Sequence, residues 1–335
     1  MAAEQHRESW LIVGAGLTGA AIAWLAARQG VAVTVVSLDR PASQGTALNS
    51  GTVHGLGPAG GFRSWQRASQ HGLQRAAQRA AHGFEVLRSA LLESSRACGY
   101  TSTTHHLTLP PSIDAASVKP VVDALQSAGF PVRLAGDANH CSLVRDREAV
   151  VSLRRLSFEL LRGACCRGAQ LRLGSRIASV GTGNSQQFSL DGRPIPASRV
   201  IWAGGRPHAV LVANDGVDER WVLHQRFAAG AVPLDRVLAF GNAEIVLVPE
   251  PDPGGSVALI RTAEDASGGG LTWPEPPAEW WSHCGTALRQ RLAEARFSAA
   301  DSPVTTAGHV TSITGLGGWP LTQVLGVCAE IVEQR

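Results

Sequence analysis

The sequence, 335 residues long, predicts an α/β fold in two domains, one of them built on a parallel sheet. An apolar strand at residues 10–14 runs directly into a glycine-rich turn. A helix over AAIAWLAARQ follows and ends at Gly30, which is a natural helix terminus. The stretch VAVTVV is β-branched and almost wholly apolar, as a parallel strand covered on both faces should be.

The glycines of that turn have the spacing of a Rossmann-like βαβ unit, and each has a separate physical task. Gly14 allows the tight turn, Gly16 lets the backbone approach a pyrophosphate, and Gly19 lets helix and strand pack closely. The phosphates would lie at the helix N-terminus. GxGxxG alone is weak evidence, but here strand, turn, helix and second strand follow one another within about 30 residues.

The rest of the chain predicts a mixed-sheet α+β domain inserted into this unit. Strands are expected near 104–110 and throughout 222–262, and a hairpin turn is expected at Asp191-Gly192. The predicted helices are Ser64 to Arg96, 121–129, roughly Arg147 to Arg167, Pro277 to Arg296, and one at the C-terminus.

Composition excludes several classes of function. A formal net charge of +3 is too small to indicate nucleic-acid binding. There is no run of about 18 uncharged apolar residues, so no membrane span is predicted. The N-terminus lacks the features of a signal peptide, so a cytoplasmic location is expected. The six cysteines form no CxxC pair, which predicts buried free thiols and no metal site.

Five stretches resemble, in order, the flavin-dependent oxidoreductases of the D-amino-acid oxidase and glycine oxidase superfamily. That superfamily includes the glycerol-3-phosphate and 2-hydroxyglutarate dehydrogenases. The stretches are VGAGLTGAAIAWLAARQGVAVTVV, TALNSGTVHGL, GAQLRLGSRIASV, RVIWAGGRPHAVL and ITGLGGWPLTQVLG. The resemblance spans most of the chain and implies a Rossmann-like FAD-binding domain beside a substrate domain. The FAD-binding domain is then expected over 1–80, 141–215 and 305–335, and the substrate domain over 81–140 and 216–304.

The resemblance also implies which residues meet the FAD. The pyrophosphate would lie against Gly14, Gly16 and Gly19, and the adenine against the backbone of Ile177. A loop beside the flavin and a small-residue turn beneath the dinucleotide are matched by Asn49, Ser50, Gly51, Ala203 and Gly204. The C-terminal loop that faces the flavin ring is matched by Gly315, Gly317 and Gly318.

Ser37 stands where this superfamily usually has an acidic residue that binds the adenosine ribose. Serine binds a hydroxyl only as a neutral partner, which makes roughly half as strong a bond as a charged one. Asp39, two residues further on, could supply the contact instead. A missing acid could also admit the 2′-phosphate of NADP beside Arg40. FAD is favoured because the loops NSGTVH and GLGG have no role in a simple NADP enzyme.

Two residues are candidates for the chemistry itself. His54 matches the histidine of an NSG-x-x-H loop found in the hydroxyglutarate and glycerol-phosphate branch. It could act as a general base, carry the flavin covalently, or simply order the loop. Arg261 ends a buried-looking strand and could bind a substrate carboxylate in bidentate fashion, or pair with Glu264 or Asp265.

The reaction expected from the resemblance is hydride transfer to flavin N5 from a C–H beside nitrogen, on a small amine or amino-acid-like substrate with an anionic group. A 2-hydroxy acid or polyol phosphate is the alternative, since the Gly-x-Arg-Pro segment of the amino-acid oxidases is missing from 284–312. A flavin subunit of a hetero-oligomeric dehydrogenase and a non-catalytic relative also stay open. The sequence leaves the electron acceptor, oxygen or a partner, and the oligomeric state undecided.

Overall fold

The computed structural model describes residues 8–43, 46, 51–53, 69–94, 98–109, 115–136, 141–180, 187–205, 217–227, 237–240, 245–249, 257–263, 288–295, 304–314, 316 and 321–334. The helices within these ranges are α1 (Leu17–Arg28), α2 (Gln70–Glu93), α3 (Ala115–Ser127), α4 (Leu153–Cys165) and α5 (Leu321–Glu333). None of these helices is both long enough and apolar enough to cross a membrane.

The strands of the same ranges form three sheets. In chain order they are β1 (Ser9–Val13), β2 (Ala32–Ser37), β3 (Thr52–Val53), β4 (Thr101–Thr108), β5 (Val132–Gly136), β6 (Cys141–Val150), β7 (Gln170–Leu173), β8 (Ile177–Val180), β9 (Gln187–Leu190), β10 (Arg193–Pro194), β11 (Arg199–Gly205), β12 (Val217–Phe227), β13 (Val237–Phe240), β14 (Ile245–Pro249), β15 (Val257–Ala263), β16 (Leu288–Ala295), β17 (Val304–Ala307) and β18 (Val310–Thr314).

The first sheet has six strands in the order β17-β18-β11-β1-β2-β7, and every neighbouring pair except β17–β18 is parallel. Helices α1, α4 and α5 bury one face of it in the largest apolar core, and the three-stranded sheet β10-β9-β8 covers the other through Phe188. This arrangement confirms the predicted Rossmann-like architecture.

The second sheet has nine strands, in the order β16-β12-β15-β14-β13-β4-β6-β3, with β5 also paired to β6. It is mixed, because β13 runs parallel to β4 while the other pairs are antiparallel. Helix α3 and the first half of α2 pack on it in a separate apolar core. The predicted mixed-sheet α+β part is therefore present; the domain limits stay a prediction.

Two predicted helices differ from the structure. Residues 147–150 belong to β6, in which Ala149 and Val150 pair with both β3 and β4. Helix α4 begins only after Ser152, whose hydroxyl accepts the Arg155 N–H at 3.5 Å. Residues 288–295 form β16 and pair with β12 along its length. LRQRLAEA favours a helix locally, so here long-range strand pairing overrides local propensity.

The expectation of buried thiols holds for two of the four cysteines whose side chains the structure describes. Cys98 and Cys328 are buried, and burial raises the pKa of both thiols. Cys165 and Cys166 are exposed, because they fall at the C-terminal end of α4, where the helix leaves the core.

A buried polar cluster lies within the nine-stranded sheet, between β4 and β6. His105 stands directly opposite Arg145 and accepts a hydrogen bond from its guanidinium. The Glu148 Oε1 lies 3.9 Å from the Arg145 Nε, and both side chains are almost wholly buried. Burial lowers the pKa of Arg145, and the Glu148 carboxylate opposes that shift. Since β4 is paired on both sides, His105 does not lie at a solvated strand edge.

Removing the Glu148 charge should therefore cost far more than removing an exposed charge from the same strand. Glu148→Gln leaves a buried guanidinium without this carboxylate, and we expect a loss of roughly 3–5 kcal/mol in the free energy of unfolding. Asp146→Asn is the matched control, since Asp146 pairs with Arg133 at 3.0 Å at the surface, where such a pair contributes at most about 1 kcal/mol. Urea denaturation measures both, and equal losses would contradict the argument.

Candidate functional site

The carboxyl ends of three parallel strands meet at Gly14. Its φ of +113° lies in the region that favours glycine, and its N–H donates to the Val36 carbonyl at the end of β2 at 2.8 Å. A Cβ at Gly14 would lie 2.6 Å from the carbonyl oxygen of Ala203 and 3.0 Å from the Gly204 nitrogen, both on β11. The turn that the sequence predicts at Gly14 therefore touches the small residues predicted beneath the dinucleotide.

Gly19 permits α1 to lie directly on this turn. A Cβ at Gly19 would be 1.9 Å from the Gly14 carbonyl oxygen, a separation that no side chain tolerates. The helix backbone is consequently in van der Waals contact with the backbone of the strand end. This is the role that the spacing predicted for the third glycine.

The N-terminus of α1 begins at Gly16, which has no side chain to cap it. The first helical N–H, that of Leu17, donates instead to the Thr46 hydroxyl at 2.9 Å. Helix geometry leaves the N–H groups of Thr18 and Gly19 without an intrahelical acceptor, and these groups carry the positive end of the helix dipole. Their position suits a phosphate.

Thr46 is a site residue that the sequence argument missed. It begins the stretch TALNSG, in which only Asn49, Ser50 and Gly51 were singled out. The turn after β2 folds back over the glycine loop, with the Ala42 N–H donating to the Ala15 carbonyl at 3.1 Å. That fold brings Thr46 to the helix end. No local pattern predicts such a contact, because it joins residues 29 positions apart.

Gly51 lies in the stretch of chain that connects β2 of the parallel sheet to β3 of the nine-stranded sheet. Its φ is +67°, its carbonyl accepts the Val151 N–H at 2.9 Å, and a Cβ on it would lie 2.0 Å from the Val151 carbonyl oxygen. Directly after Gly51, β3 pairs with β6. His54 follows β3 in the sequence; His54, Asn49 and Ser50 themselves lie outside the described residues.

The residues predicted for the adenosine half surround the end of β2. Ser37 is its last residue, half-buried and opposite Leu173 of β7, and Asp39 follows at the surface. Ile177 begins β8 and packs against the core that covers this face of the parallel sheet. Ser37 thus ends β2, a strand adjacent to β1, and Asp39 follows it.

The remaining predicted residues lie on other elements. Arg261 is within β15, with Leu223 of β12 and Ile245 of β14 as its strand partners. Gly315, Gly317 and Gly318 lie outside the described residues, whereas Leu316 between them is half-buried against the largest core. The segment 315–320 joins β18 to α5, so α5 begins near the same carboxyl edge as α1.

A parallel sheet with a glycine turn at its carboxyl edge and two helices starting there defines a dinucleotide-binding protein of the Rossmann class. The bare backbone at Gly14 and Gly16 and the helix N-terminus beside them fit a pyrophosphate. The family model DAO, FAD dependent oxidoreductase, matches residues 9–335. The chain belongs to this family, and its cofactor is FAD.

Several solved structures share the fold of this chain. Glycine oxidase from Bacillus cereus superposes with a TM-score of 0.69 at 13% identity, covering 98% of this chain and 95% of its own. L-proline dehydrogenase from P. horikoshii gives 0.73 at 12% identity, covering 98% and 92%. FAD-bound L-alpha-glycerophosphate oxidase from Mycoplasma pneumoniae gives 0.73 at 11%, covering 98% and 94%. No curated protein is significantly similar in sequence.

A methyl group at Gly19 should disrupt FAD binding as well as the fold. Gly19→Ala forces α1 away from the Gly14 turn, and overpacking of this kind costs about 1–3 kcal/mol or more. We expect FAD affinity, measured by fluorescence titration of the apoprotein, to fall at least about tenfold, which corresponds to 1.4 kcal/mol. Gly30→Ala is the control, because nothing lies within 4 Å of its Cβ and only its φ of +80° is strained. Similar affinities for both variants would contradict this role.

The Thr46 hydroxyl should stabilise the N-terminus of α1 through its hydrogen bond from the Leu17 N–H. Thr46→Val keeps the shape but removes the acceptor of the Leu17 N–H, a loss worth about 1 kcal/mol for a helix cap. Thermal unfolding of the apoprotein should register this loss, and Thr46→Ser should restore most of it. A valine variant as stable as the wild type would show that the hydroxyl contributes nothing to the stability of this helix end.

Proposed function

We propose that this protein oxidises a C–N bond of a small amine or amino-acid-like substrate. The observation that carries the proposal is the glycine turn at the edge where β1, β2 and β11 end, joined through Gly51 to a broad mixed sheet. FAD bound at that edge would accept a hydride at flavin N5 from a substrate held against the mixed sheet. Glycine oxidase and L-proline dehydrogenase, which share the fold, are named for such substrates.

The cofactor-binding residues would have the roles that the family resemblance implies. Gly14, Gly16 and the first turn of α1 would hold the pyrophosphate through backbone N–H groups. Ser37 or Asp39, after the end of β2, would bind the adenosine ribose, and the backbone of Ile177 would meet the adenine. Ala203 and Gly204 would lie beneath the dinucleotide. The loop residues Asn49, Ser50, Gly51, Gly315, Gly317 and Gly318 would line the flavin.

Two side chains would then act on the substrate. His54 follows β3 in the sequence, and it would take the proton of the substrate nitrogen. Arg261 belongs to the mixed sheet, and its guanidinium would bind the substrate carboxylate with two parallel hydrogen bonds. Together they would orient the C–H bond that breaks.

A 2-hydroxy acid or polyol phosphate is the second candidate substrate. Its support is the NSGTVH loop, which ends in His54, together with the shared fold of a glycerophosphate oxidase. The same His54 would then take a hydroxyl proton. Electrons would pass to oxygen or to a partner protein, and a flavin subunit of a larger dehydrogenase would use the same residues.

The first experiment is an absorption spectrum of the purified protein, repeated on the supernatant after acid precipitation. We expect flavin bands that move into the supernatant, which leaves His54 available for proton transfer. Bands that stay with the pellet would instead make His54 the suspected covalent attachment point. A colourless protein that takes up no added FAD would overturn the proposed function.

The second stage separates the two substrate classes. Small amines and amino acids should bleach the bound flavin under anaerobic conditions, and matched 2-hydroxy acids should do so at least about tenfold more slowly, a difference of 1.4 kcal/mol in activation free energy. Faster bleaching by the 2-hydroxy acids would favour a hydroxy acid as the substrate. In Arg261→Met, bleaching by a substrate with a carboxylate should require a higher concentration, while bleaching by an uncharged amine should change little.

A further inference from the structure

Helix α2 belongs to two hydrophobic cores at once. Its first half contributes Leu73, Ala76 and Ala77 to the core formed by α3 and the nine-stranded sheet. Its second half contributes Val86 and Leu87 to the core of the parallel sheet. Because α2 is packed into both cores, a displacement of one core is transmitted through the helix to the other.

Helix α5 lies against the middle of α2 with the two backbones in contact. A Cβ at Gly83 would be 1.8 Å from the Thr322 carbonyl oxygen, and a Cβ at Gly326 would be 2.3 Å from that of Arg79. Arg79 also pairs with Glu330 at 2.8 Å. The separation of the two helices is therefore set by backbone atoms, which cannot yield as side chains do.

Gln323 adds a directed bond to this contact. It lies in the first turn of α5, its side chain is 5% exposed, and its amide nitrogen donates to the Ala76 carbonyl at 2.6 Å. Ala76 is one of the residues that α2 contributes to the core of the nine-stranded sheet. This buried hydrogen bond joins the first turn of α5 to the part of α2 that packs on the mixed sheet.

Helix α5 follows β18 in the chain, and the carboxyl end of β18 lies at the same edge of the sheet as the glycine turn. Strands β18, β11 and β1 are parallel, so their carboxyl ends share that edge, and α5 starts after residues 315–320. The sulfur of Cys328 meets the Thr18 carbonyl at 3.7 Å, which holds α5 beside the start of α1. The first N–H groups of a helix make no intrahelical bonds and attract negative charge.

We propose that Gln323 is a positioning residue for the bound flavin: by tying the first turn of α5 to α2, it holds the N-terminal dipole of α5 where reduced flavin gathers negative charge. The inference rests on the proposed function, in which that turn and the glycine loop before it face the flavin. The effect of a helix dipole falls off within one turn. A small displacement of the first turn should therefore weaken binding of the reduced cofactor more than binding of the oxidised one.

The test compares Gln323→Met with a control that loses the same kind of bond elsewhere. Methionine keeps the length and bulk of the side chain but cannot donate to Ala76. Ser157→Ala is the control, because the buried Ser157 hydroxyl donates to the Leu153 carbonyl at 2.7 Å within α4. For each protein we would measure the melting temperature, the FAD dissociation constant and the midpoint potential of the bound flavin.

We expect both variants to melt at lower temperature than the wild type. Only Gln323→Met should lower the preference for reduced over oxidised flavin, by about tenfold, which is a shift of about 30 mV to more negative potential for a two-electron couple. Gly83→Ala, which pushes on the Thr322 carbonyl, should shift the potential in the same direction. If the midpoint potentials of Gln323→Met and Gly83→Ala both equal that of the wild type, Gln323 has a structural role only.

Two further measurements keep the outcomes distinct. If Gln323→Met does not fold, Gln323→Asn, one methylene shorter, replaces it with the same expected shift. In the apoprotein, backbone amides of the first turns of α5 should exchange faster in the Gln323 variant than in Ser157→Ala, and equal rates would overturn the proposal without any flavin present. A wild-type protein that binds no FAD would instead overturn the proposed function.

Discussion

The contact between Gly19 and the Gly14 carbonyl is the constraint on which the candidate site depends. It sets α1 directly against the end of β1, so the helix N-terminus opens at the edge where β2 and β11 also end. Any side chain at Gly19 would lift the helix and move its N–H groups away from that edge. The site is thus made from backbone, which is why glycine, rather than any charged residue, marks it in the sequence.

The two sheets are joined by a short segment and by a long helix. Thr46 and Gly51 hold the short segment at α1 and at Val151, so that β3 reaches the mixed sheet within a few residues of the cofactor edge. Helix α2 makes the second connection, since its two halves are buried in different cores. A substrate held against the mixed sheet would therefore meet a cofactor whose surroundings are fixed to the same sheet.

Local patterns predicted what depends on neighbours in the sequence. The glycine turn, its helix and its strands were predicted correctly, and so was the hairpin at Asp191-Gly192, where both residues have positive φ. Contacts between distant segments left no local trace. The helical composition of 288–295 gave no sign of its pairing with β12. Thr46 and Gln323 fall within two of the stretches that resemble the family, but nothing in those stretches marks either residue for its contact. Their roles come from partners 29 and 247 positions away.

The residue at the N-cap distinguishes α1, the helix at the candidate site, from α2 and α4. The N-termini of α2 and α4 are closed by their own Ser69 and Ser152, whose hydroxyls accept N–H groups from the first turn. Helix α1 starts at Gly16, which has no side chain, and its first turn contains no acidic residue. The Thr46 hydroxyl satisfies the Leu17 N–H, and the N–H groups of Thr18 and Gly19 have no intrahelical acceptor. Ser37 fits the same pattern. If the pyrophosphate is held by backbone and dipole, the ribose contact adds little to affinity, and a neutral hydroxyl in place of the usual acid is then tolerated.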